Sequence, residues 1–305
     1  MEILNSLYDV ITEDTAITVG KFDGLHKGHE LLTQKILQQE KSGLKSLVLT
    51  FDVSPRIHLK KDTEKQLITN EERAELLQKE CISYLAQCPF QDEVMPLEPE
   101  AFIALLVENY HMKYMVCGTD FHFGKKGKGD VDLLRDLAVK YGFTLEVVEK
   151  LKQENRDISS TFVREEIAAG NIAKGNELLG YSYFIWGKVV HGNHLGSKIG
   201  IPTVNLIPPK DKLLPQNGVY ITEVEVDNRR YYGVTNVGVK PTIEGVRQIG
   251  VETHILDFNQ DVYGESVRVT FLERIREEMQ FASIDALREQ MQRDKDVAIA
   301  YFATE

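Results

Sequence analysis

The strongest constraint on the fold is a regular alternation in the first half of the chain. Short apolar runs rich in β-branched residues, which are typical of buried strands, occur at 16–20, 46–51, 114–118 and 144–149. Segments with helical spacing lie around them, at 29–41, 70–80, 99–109 and 130–141. Strands that alternate with helices form a parallel sheet covered on both faces. The first half is therefore predicted to be an α/β domain with a doubly wound parallel sheet.

The second half has a different pattern. From about residue 183 the strands are short and are separated by Gly, Pro and Asn, which indicates an antiparallel barrel or sandwich. Near the end, Ser283 precedes a helical pattern that places five residues close to one face: Ile284, Leu287, Met291, Ala298 and Tyr301. We expect this closing helix to pack on the β domain. The boundary is predicted near Tyr181, which gives domains 1–181 and 182–305.

Composition and charge exclude several classes of protein. The chain has 305 residues, of which 42% are hydrophobic and 27% charged, so two domains can each bury a core. The net charge of −11 is shared by both halves, and an acidic surface disfavours nucleic-acid and membrane partners. Small anions remain suitable ligands. A weak homo-oligomer is left open.

The cysteines and the N-terminus indicate a cytoplasmic protein. Cys81, Cys88 and Cys117 are odd in number and form no CxxC pair, which argues against a disulfide framework or a structural zinc site. Cys117 fits a core strand. The first residues lack a basic signal region, and no apolar stretch approaches the roughly 20 residues that a membrane span needs.

One turn concentrates glycine and histidine. The stretch VGKFDGLHKGHE, residues 19–30, directly follows a predicted strand and opens a predicted helix. A helix N-terminus supplies free N–H groups and a positive dipole end, which together bind phosphate. His26 and His29 are three residues apart and can donate from one side to phosphoryl oxygens. A surface loop would explain the glycines equally well, but the strand-to-helix position favours a phosphate site.

The order GxFDGxHxGH resembles the HxGH nucleotidylyltransferases, and most closely the FMN adenylyltransferase half of prokaryotic bifunctional riboflavin kinase/FAD synthetases. Two further stretches are similar to the same family. GTDFHFGKKGKGD, residues 118–130, matches its DFxFG loop, and ISSTFVR, residues 158–164, matches its ISSTxIR element.

This resemblance implies an adenylyltransferase site in the first domain. His26, His29 and Arg164 would be catalytic, with ATP and flavin bound by a larger set: Gly20, Lys21, Phe22, Asp23, Gly24, Gly28, Asp120, Phe121, Phe123, Ser159, Ser160 and Thr161. Ordinary helix capping by the hydroxyls and core packing by the two phenylalanines are the plainer explanations. The chain departs from the family in two places, with Lys21 where Asn is common and Ser54 where His is common.

A second group of motifs lies in the other domain. GKVVHGNHLGSKIGIPTVNL, residues 187–206, resembles the riboflavin kinase signature, and GVTNVGVKPTI and VETHILDFNQDVYGE match later elements of that family in order. Thr203 and Asn205 lie on one side of an extended segment, where hard oxygen atoms suit Mg²⁺.

The kinase resemblance implies a β-barrel and a set of site residues. Glu252 would be the general base, and Thr203 and Asn205 would hold the metal. The nucleotide and flavin would contact Gly192, Gly196, Lys198, Gly200 and Asn236. His254 would support the fold. Ser197 stands where the family usually has Arg.

The sequence thus predicts a bifunctional enzyme that uses ATP and Mg²⁺ to convert riboflavin to FMN, and FMN to FAD with release of pyrophosphate. Its partners would be these small molecules. Two alternatives remain: a single-activity FAD synthetase whose second domain only binds flavin, and a non-enzymatic flavin carrier or regulator.

Overall fold

The chain forms two compact units. The computed structural model describes residues 1–51, 65–190, 201–241 and 247–303. The first unit comprises Met1–Ser160 and the second Thr161–Glu305. The domain boundary placed near Tyr181 from the sequence remains a prediction.

The first unit is built on a parallel sheet of six strands. The strands are β1 (Glu2–Leu4), β2 (Thr15–Val19), β3 (Lys45–Phe51), β4 (Tyr84–Cys88), β5 (Met112–Gly118) and β6 (Thr144–Val148). They lie in the order β1-β4-β3-β2-β5-β6, and every pair is parallel. The predicted fold class is confirmed. The sequence had indicated neither β1, which has only three residues, nor β4.

Helices connect these strands. They are α1 (Lys27–Gln38), α2 (Asn70–Lys79), α3 (Pro99–Asn109) and α4 (Val131–Tyr141), and a small hairpin of β7 (Lys152–Gln153) and β8 (Arg156–Asp157) follows β6. The helices coincide with the predicted ones to within a few residues. Cys117 is buried in the sheet core, as predicted.

The strand order determines where a ligand can bind. From β2 the chain continues to β3 and β4 on one side, and β5 and β6 lie on the other. The sheet order therefore reverses beside β2, and in open α/β sheets ligands bind at the carboxyl ends of strands at such a reversal. The glycine- and histidine-rich turn follows β2, and the DFHFG loop follows β5.

The second unit begins with two helices, which are followed by a barrel. Helix α5 (Ser160–Ala168), which starts at the last residue of the first unit, and α6 (Ile172–Leu179) precede six antiparallel strands: β9 (Phe184–Val190), β10 (Val204–Leu206), β11 (Gly218–Val226), β12 (Arg229–Pro241), β13 (Arg247–Ile255) and β14 (Ser266–Arg276). They form a closed barrel in the order β10-β13-β12-β11-β14-β9. The sandwich alternative is excluded, and the barrel implied by the resemblance is confirmed.

Three buried threonines lie side by side on neighbouring strands of the barrel. The hydroxyls of Thr222 and Thr235 are 2.8 Å apart, and those of Thr235 and Thr253 are also 2.8 Å apart. All three side chains are fully buried, so each hydroxyl needs its neighbour as a hydrogen-bond partner. Because side chains alternate between the two faces of a strand, the residues next to these threonines point to the opposite face.

The last helix, α7 (Ile284–Phe302), closes the second unit. Ser283 caps it by accepting from the Ala286 N–H at 3.1 Å, as predicted. Ala298 is buried against Ile221 and Leu256. The expectation that Ile284 packs on the barrel is wrong: its side chain is 56% exposed, because it lies in the first turn, ahead of the part that packs on the strands. The buried Asp294 accepts from Arg276 of β14 at 2.7 Å.

Candidate active sites

The turn between β2 and α1 is held in a fixed conformation by distant parts of the first unit. We call residues 20–29 the histidine turn. The carbonyl oxygens of Lys21, Phe22 and Asp23 accept hydrogen bonds in succession. Their donors are Thr50 Oγ1 at 3.0 Å, Arg73 Nε at 3.4 Å and Ser160 Oγ at 2.8 Å. These donors come from β3, α2 and the start of α5, so three separate segments fix one short stretch of backbone.

The side chain of Asp23 adds a fourth anchor. Its Oδ1 accepts from the backbone N–H groups of Leu67 at 2.8 Å and Ile68 at 3.3 Å. The turn needs this support because its backbone is strained: Phe22 and Leu25 have φ of 47° and 40°, a region that side chains other than glycine disfavour. Gly24, with φ of 88°, adopts the same region at little cost.

The two other glycines of the turn make room for its own side chains. A Cβ at Gly20 would lie 3.2 Å from the Phe22 ring, and one at Gly28 would lie 3.2 Å from the His26 imidazole. From the sequence, these glycines are predicted to allow the close approach of a phosphate. The structure gives them an additional role, which is to let Phe22 and His26 fold back against the turn.

His26 and His29 are brought together at the start of α1. Their rings stack with centroids 3.7 Å apart and an angle of 16° between the planes. His26 is the N-cap residue, and its Nδ1 accepts from the His29 backbone N–H at 3.3 Å. Because Nδ1 is the acceptor, the proton of the neutral His26 ring is on Nε2, which can donate to a ligand.

His29 is arranged as a neutral group. Burial lowers its pKa well below the ordinary value of 6.5, and the nearby His26 and Arg73 lower the pKa further. The ring is therefore uncharged at neutral pH. Its buried Nδ1 has no hydrogen-bond partner within the part of the chain that the structure describes. A buried polar atom without a partner is costly, and a ligand oxygen would relieve that cost.

The two phenylalanines of the loop after β5 differ in how deeply they are buried. The rings of Phe121 and Phe123 stack 5.5 Å apart. Phe123 is buried in the core, and a Cβ at Gly129 would lie 2.8 Å from its ring. Phe121 is only partly buried. Of the two predicted flavin contacts, Phe121 is thus the one with accessible ring surface, and Phe123 supports it from within the core.

Asp120 precedes these rings and is exposed. Its Oδ2 is 2.7 Å from Lys150 Nζ, just beyond the end of β6. The nearby lysines Lys125 and Lys128 both lie beside Glu98, at 3.6 Å and 3.4 Å. The positive charge of this loop is therefore partly neutralised by carboxylates of the same unit.

The ISST segment spans the boundary between the two units. Ser159 and Ser160 belong to the first unit, where the Ser160 hydroxyl is bound to the histidine turn as described above. Thr161 and Arg164 belong to the second unit, and Arg164 donates to Thr161 Oγ1 at 3.4 Å. The assignment of all four to one ATP site stays a prediction.

In the barrel, three polar residues share one face of three neighbouring strands. We call Asn205, Glu252 and Asn236 the polar row. Glu252 of β13 lies directly opposite Asn205 of β10 on one side and Asn236 of β12 on the other. Side chains opposite each other in antiparallel strands are about 5 Å apart and can act on one ligand. The register of the barrel thus brings these predicted site residues together.

Thr203 joins this row from the segment before β10. Its hydroxyl donates to Glu252 Oε1 at 2.6 Å. His254 Nδ1 donates to the Pro202 carbonyl at 2.8 Å, which fixes this segment against β13 and agrees with the supporting role expected for His254. Burial lowers the pKa of His254, so the ring stays neutral at pH 7.

Several predicted residues lie outside the described part of the chain. They are Gly192, Gly196, Lys198 and Gly200 of the kinase signature, together with the atypical Ser197 and, in the first domain, Ser54.

Sequence reasoning missed one residue beside the first site, the buried Arg73. A signal was present. Arg73 and Leu77 are four residues apart and share a face of α2, where a charged side chain among core positions is unusual and indicates a specific partner.

Comparison with known proteins identifies the family. The model described as FAD synthetase matches residues 9–162, and the riboflavin kinase model matches residues 179–302. The bifunctional riboflavin kinase/FMN adenylyltransferase of Bacillus subtilis is 37% identical over 97% of this chain and 96% of its own length. The protein of the same name from Escherichia coli K12 is 34% identical over 98% of this chain and 96% of its own length.

A solved structure from Streptococcus pneumoniae, titled a macrolide-efflux protein, is also similar. It has a TM-score of 0.88 and 32% identity, and the match covers 97% of each chain. Among the described residues of the present chain, no helix is both long and apolar enough to cross a membrane. Both halves match their family models, and nearly the whole length aligns with curated relatives. The chain belongs to the bifunctional riboflavin kinase/FMN adenylyltransferase family.

Proposed function

We propose that this chain makes FAD from riboflavin in two steps, each at its own site. The barrel unit would transfer the γ-phosphoryl group of ATP to riboflavin, giving FMN and ADP. The parallel-sheet unit would transfer AMP from a second ATP to FMN, giving FAD and pyrophosphate. The stacked His26–His29 pair at the N-terminus of α1, beside the reversal of the sheet, is the observation that carries this proposal.

In the adenylyl transfer, a phosphate oxygen of FMN attacks the α-phosphorus of ATP. The bond from that phosphorus to the bridging oxygen breaks, and pyrophosphate leaves with the electron pair. The attacking oxygen is already ionised near neutral pH, so no general base is needed. The His26 Nε2–H, the neutral His29 ring and the N-terminal dipole of α1 stabilise the charge that develops on the phosphate oxygens. No covalent enzyme intermediate forms.

In the kinase step, the 5′-hydroxyl of riboflavin attacks the γ-phosphorus of ATP and loses its proton to Glu252. The bond from that phosphorus to the bridging oxygen breaks, and ADP leaves with the electron pair. Thr203 orients the carboxylate, since its hydroxyl donates to Glu252 Oε1 at 2.6 Å. Asn236 flanks Glu252 on β12 and is suited to hold a hydroxyl or phosphate oxygen.

The residues of the polar row fit a magnesium–nucleotide complex. Thr203 and Asn205 offer hard oxygen atoms, whereas no cluster of three or more acidic, His or Cys ligands exists among the described residues. Mg²⁺ commonly uses one or two protein ligands and takes the others from phosphate and water. Thr203 and Asn205 would hold it, and the bound ion would neutralise charge on the transferred phosphoryl group.

Two variants test the division of labour. His29→Ala is expected to abolish conversion of FMN to FAD while riboflavin phosphorylation continues, and Glu252→Ala is expected to do the opposite. Flavins are separated by chromatography after incubation with ATP and Mg²⁺, and pyrophosphate and ADP are measured in parallel. His111→Asn and Glu223→Ala are the matched controls, because these residues lie in the same units but away from the sites.

The alternatives give different results in the same assay. Formation of FAD from FMN without any FMN or ADP from riboflavin would show a single-activity synthetase. Release of neither pyrophosphate nor ADP would show a flavin carrier. Equal loss of both activities in either folded variant would contradict the assignment of one reaction to each unit.

The remaining assignments extend this proposal. The domains would be 1–181 for adenylyl transfer and 182–305 for the kinase, and the partners would be riboflavin, FMN and ATP. The three cysteines are free thiols, which suits the reducing cytoplasm where ATP is available.

A further inference from the structure

A buried arginine lies beneath the histidine turn. Arg73 of α2 is only 4% exposed. Its Nε donates to the Phe22 carbonyl at 3.4 Å, and its NH1 donates to Asn70 Oδ1 at 2.9 Å. Taking a guanidinium out of water is expensive unless it gains specific partners. The partner on the turn is the carbonyl of a residue with a left-handed backbone.

Phe22 links this arginine to the reacting groups. The Phe22 ring lies 3.2 Å from the place where Gly20 would carry a Cβ, so it is seated closely against the strand end. The same ring packs against the His29 imidazole with centroids 5.0 Å apart, and His29 in turn stacks on His26. A shift of the Phe22 backbone would therefore move the surface on which His29 rests.

We infer that Arg73 is a positioning residue for adenylyl transfer, which holds His29 in place by fixing the Phe22 carbonyl from below. The inference rests on the proposed role of the histidine turn and adds to it a residue outside the HxGH motif. Because Arg73 is buried and its Nε donates to the Phe22 carbonyl, its effect on the reaction would pass through the turn.

The charge of Arg73 and its hydrogen bonds both favour the arrangement of His29 that the reaction needs. Among the described residues, the charged or titratable groups that act on His29 are His26 from the turn and Arg73 from α2. Asp23 and Glu71 act in turn on Arg73, where their negative charge opposes the lowering of its pKa by burial. A fixed cation beside His29 disfavours a second positive charge on the ring. Arg73 thus helps to keep His29 neutral as well as in place.

The test compares Arg73→Met, which removes both charge and hydrogen bonds, with Arg73→Lys, which keeps the charge but loses the planar fork. Arg135→Met on α4 is the control, since this exposed arginine is in the same unit. For each variant kcat and KM of FAD formation are measured, together with riboflavin kinase activity as an internal standard. The His29 ring is titrated by NMR in histidine-labelled protein, and its signal is assigned with His29→Asn.

Because small displacements of a catalytic group cost up to about 100-fold, we expect Arg73→Met to lower kcat of FAD formation by roughly 10- to 100-fold. KM for FMN and kinase activity should stay near wild type. The His29 titration should shift upward toward the ordinary pH range. Arg73→Lys should keep the wild-type titration but recover only part of kcat, and Arg135→Met should change neither.

A purely structural arginine would lower the melting temperature without changing kcat per folded molecule or the His29 titration, and that result would overturn the inference. If Arg73→Met fails to fold, Arg73→Lys decides, because an unchanged kcat in that variant contradicts a positioning role. Failure of the proposed function would look different: wild type and His29→Ala would then form FAD at the same rate.

Discussion

The two sites are held in position in different ways. The histidine turn is irregular backbone fixed by donors from distant segments, such as Thr50, Arg73 and Ser160. The polar row follows from strand register alone, which places Asn205 and Asn236 on either side of Glu252. A site on a turn depends on every anchor that holds it. A site on a barrel wall is positioned by backbone hydrogen bonds that side-chain substitutions leave intact.

The largest expected effect comes from removing the strongest anchor of the turn. Asp23→Ala leaves the N–H groups of Leu67 and Ile68 without their acceptor and frees the strained turn. We expect kcat of FAD formation to fall about 100-fold, since misplacement of catalytic groups is this costly. Kinase activity, measured in the same sample, should not change.

Asp23→Asn is the control for this substitution, because its amide oxygen can still accept from both N–H groups. It should retain most of the activity that Asp23→Ala loses. Equal loss in both variants would mean that the charge of Asp23, and not its support of the backbone, is what matters.

The corresponding change in the barrel should have a smaller and more local effect. Thr203→Val removes the hydroxyl that donates to Glu252 and keeps the shape of the side chain. A hydrogen bond to a charged group is worth about 2 kcal/mol, so its loss alone should lower kinase kcat about 30-fold. The same variant also removes the Thr203 oxygen proposed to hold Mg²⁺, which can only add to this loss. FAD formation from added FMN should continue at the normal rate.

Thr203→Ser restores the hydroxyl and should restore the kinase. We expect the melting temperature of Thr203→Val to stay near wild type, because strand register positions the polar row. A markedly lower melting temperature would show that the Thr203–Glu252 hydrogen bond holds the barrel together.

The pH dependence of stability should also distinguish the units. The pKa of His29 in the folded protein is below its unfolded value near 6.5, so the unfolded chain binds the additional proton. Its contribution is present above pH 6.5 and is lost as pH falls below that value, by at most about 1.4 kcal/mol per pH unit for one proton.

Chemical denaturation between pH 5 and 7.5 measures this slope. His29→Asn should flatten it for the first unit and leave the second unit unchanged, although His254 of that unit also has a lowered pKa. If the free energy of unfolding of His29→Asn depends on pH as steeply as that of wild type, another titrating group causes the pH dependence.

The smallest effect is expected where one of several anchors is removed. Ser160→Ala deletes a single hydroxyl, which donates to the Asp23 carbonyl at 2.8 Å, while Thr50 and Arg73 still hold the turn. Such a bond contributes about 1 kcal/mol, so FAD formation should fall about fivefold. A loss as large as that of Asp23→Ala would indicate that Ser160 binds the nucleotide itself.

Strong periodicity explains what could be predicted from the sequence. The parallel sheet was predictable because four of its strands are continuous apolar runs separated by helical segments, and β11 was predictable from its residue alternation. Strand β1 was not, since three residues carry no periodic signal. The outward position of Ile284 was missed because a helix wheel does not show which turns of a helix reach the domain.

The site residues likewise divide into those that a local motif predicts and those that only the fold brings together. The motifs led to His26, His29 and Glu252, but no local pattern could show that Arg73 supports Phe22 across 51 residues of sequence. Nor could the sequence reveal the register that pairs Glu252 with both asparagines, because register depends on how all the strands close into a barrel.

The buried threonines of the barrel have a consequence for how faithfully the second unit folds. Thr235 and Thr253 adjoin Asn236 and Glu252 in sequence, so each strand carries a hydroxyl inside and a site residue outside. If β12 slipped by one residue, Asn236 would turn inward and the hydroxyls would lose their partners. A one-residue slip would therefore both destabilise the barrel and remove a kinase site residue from its face. A barrel that folds with this lower free energy thus also has its site residues in place.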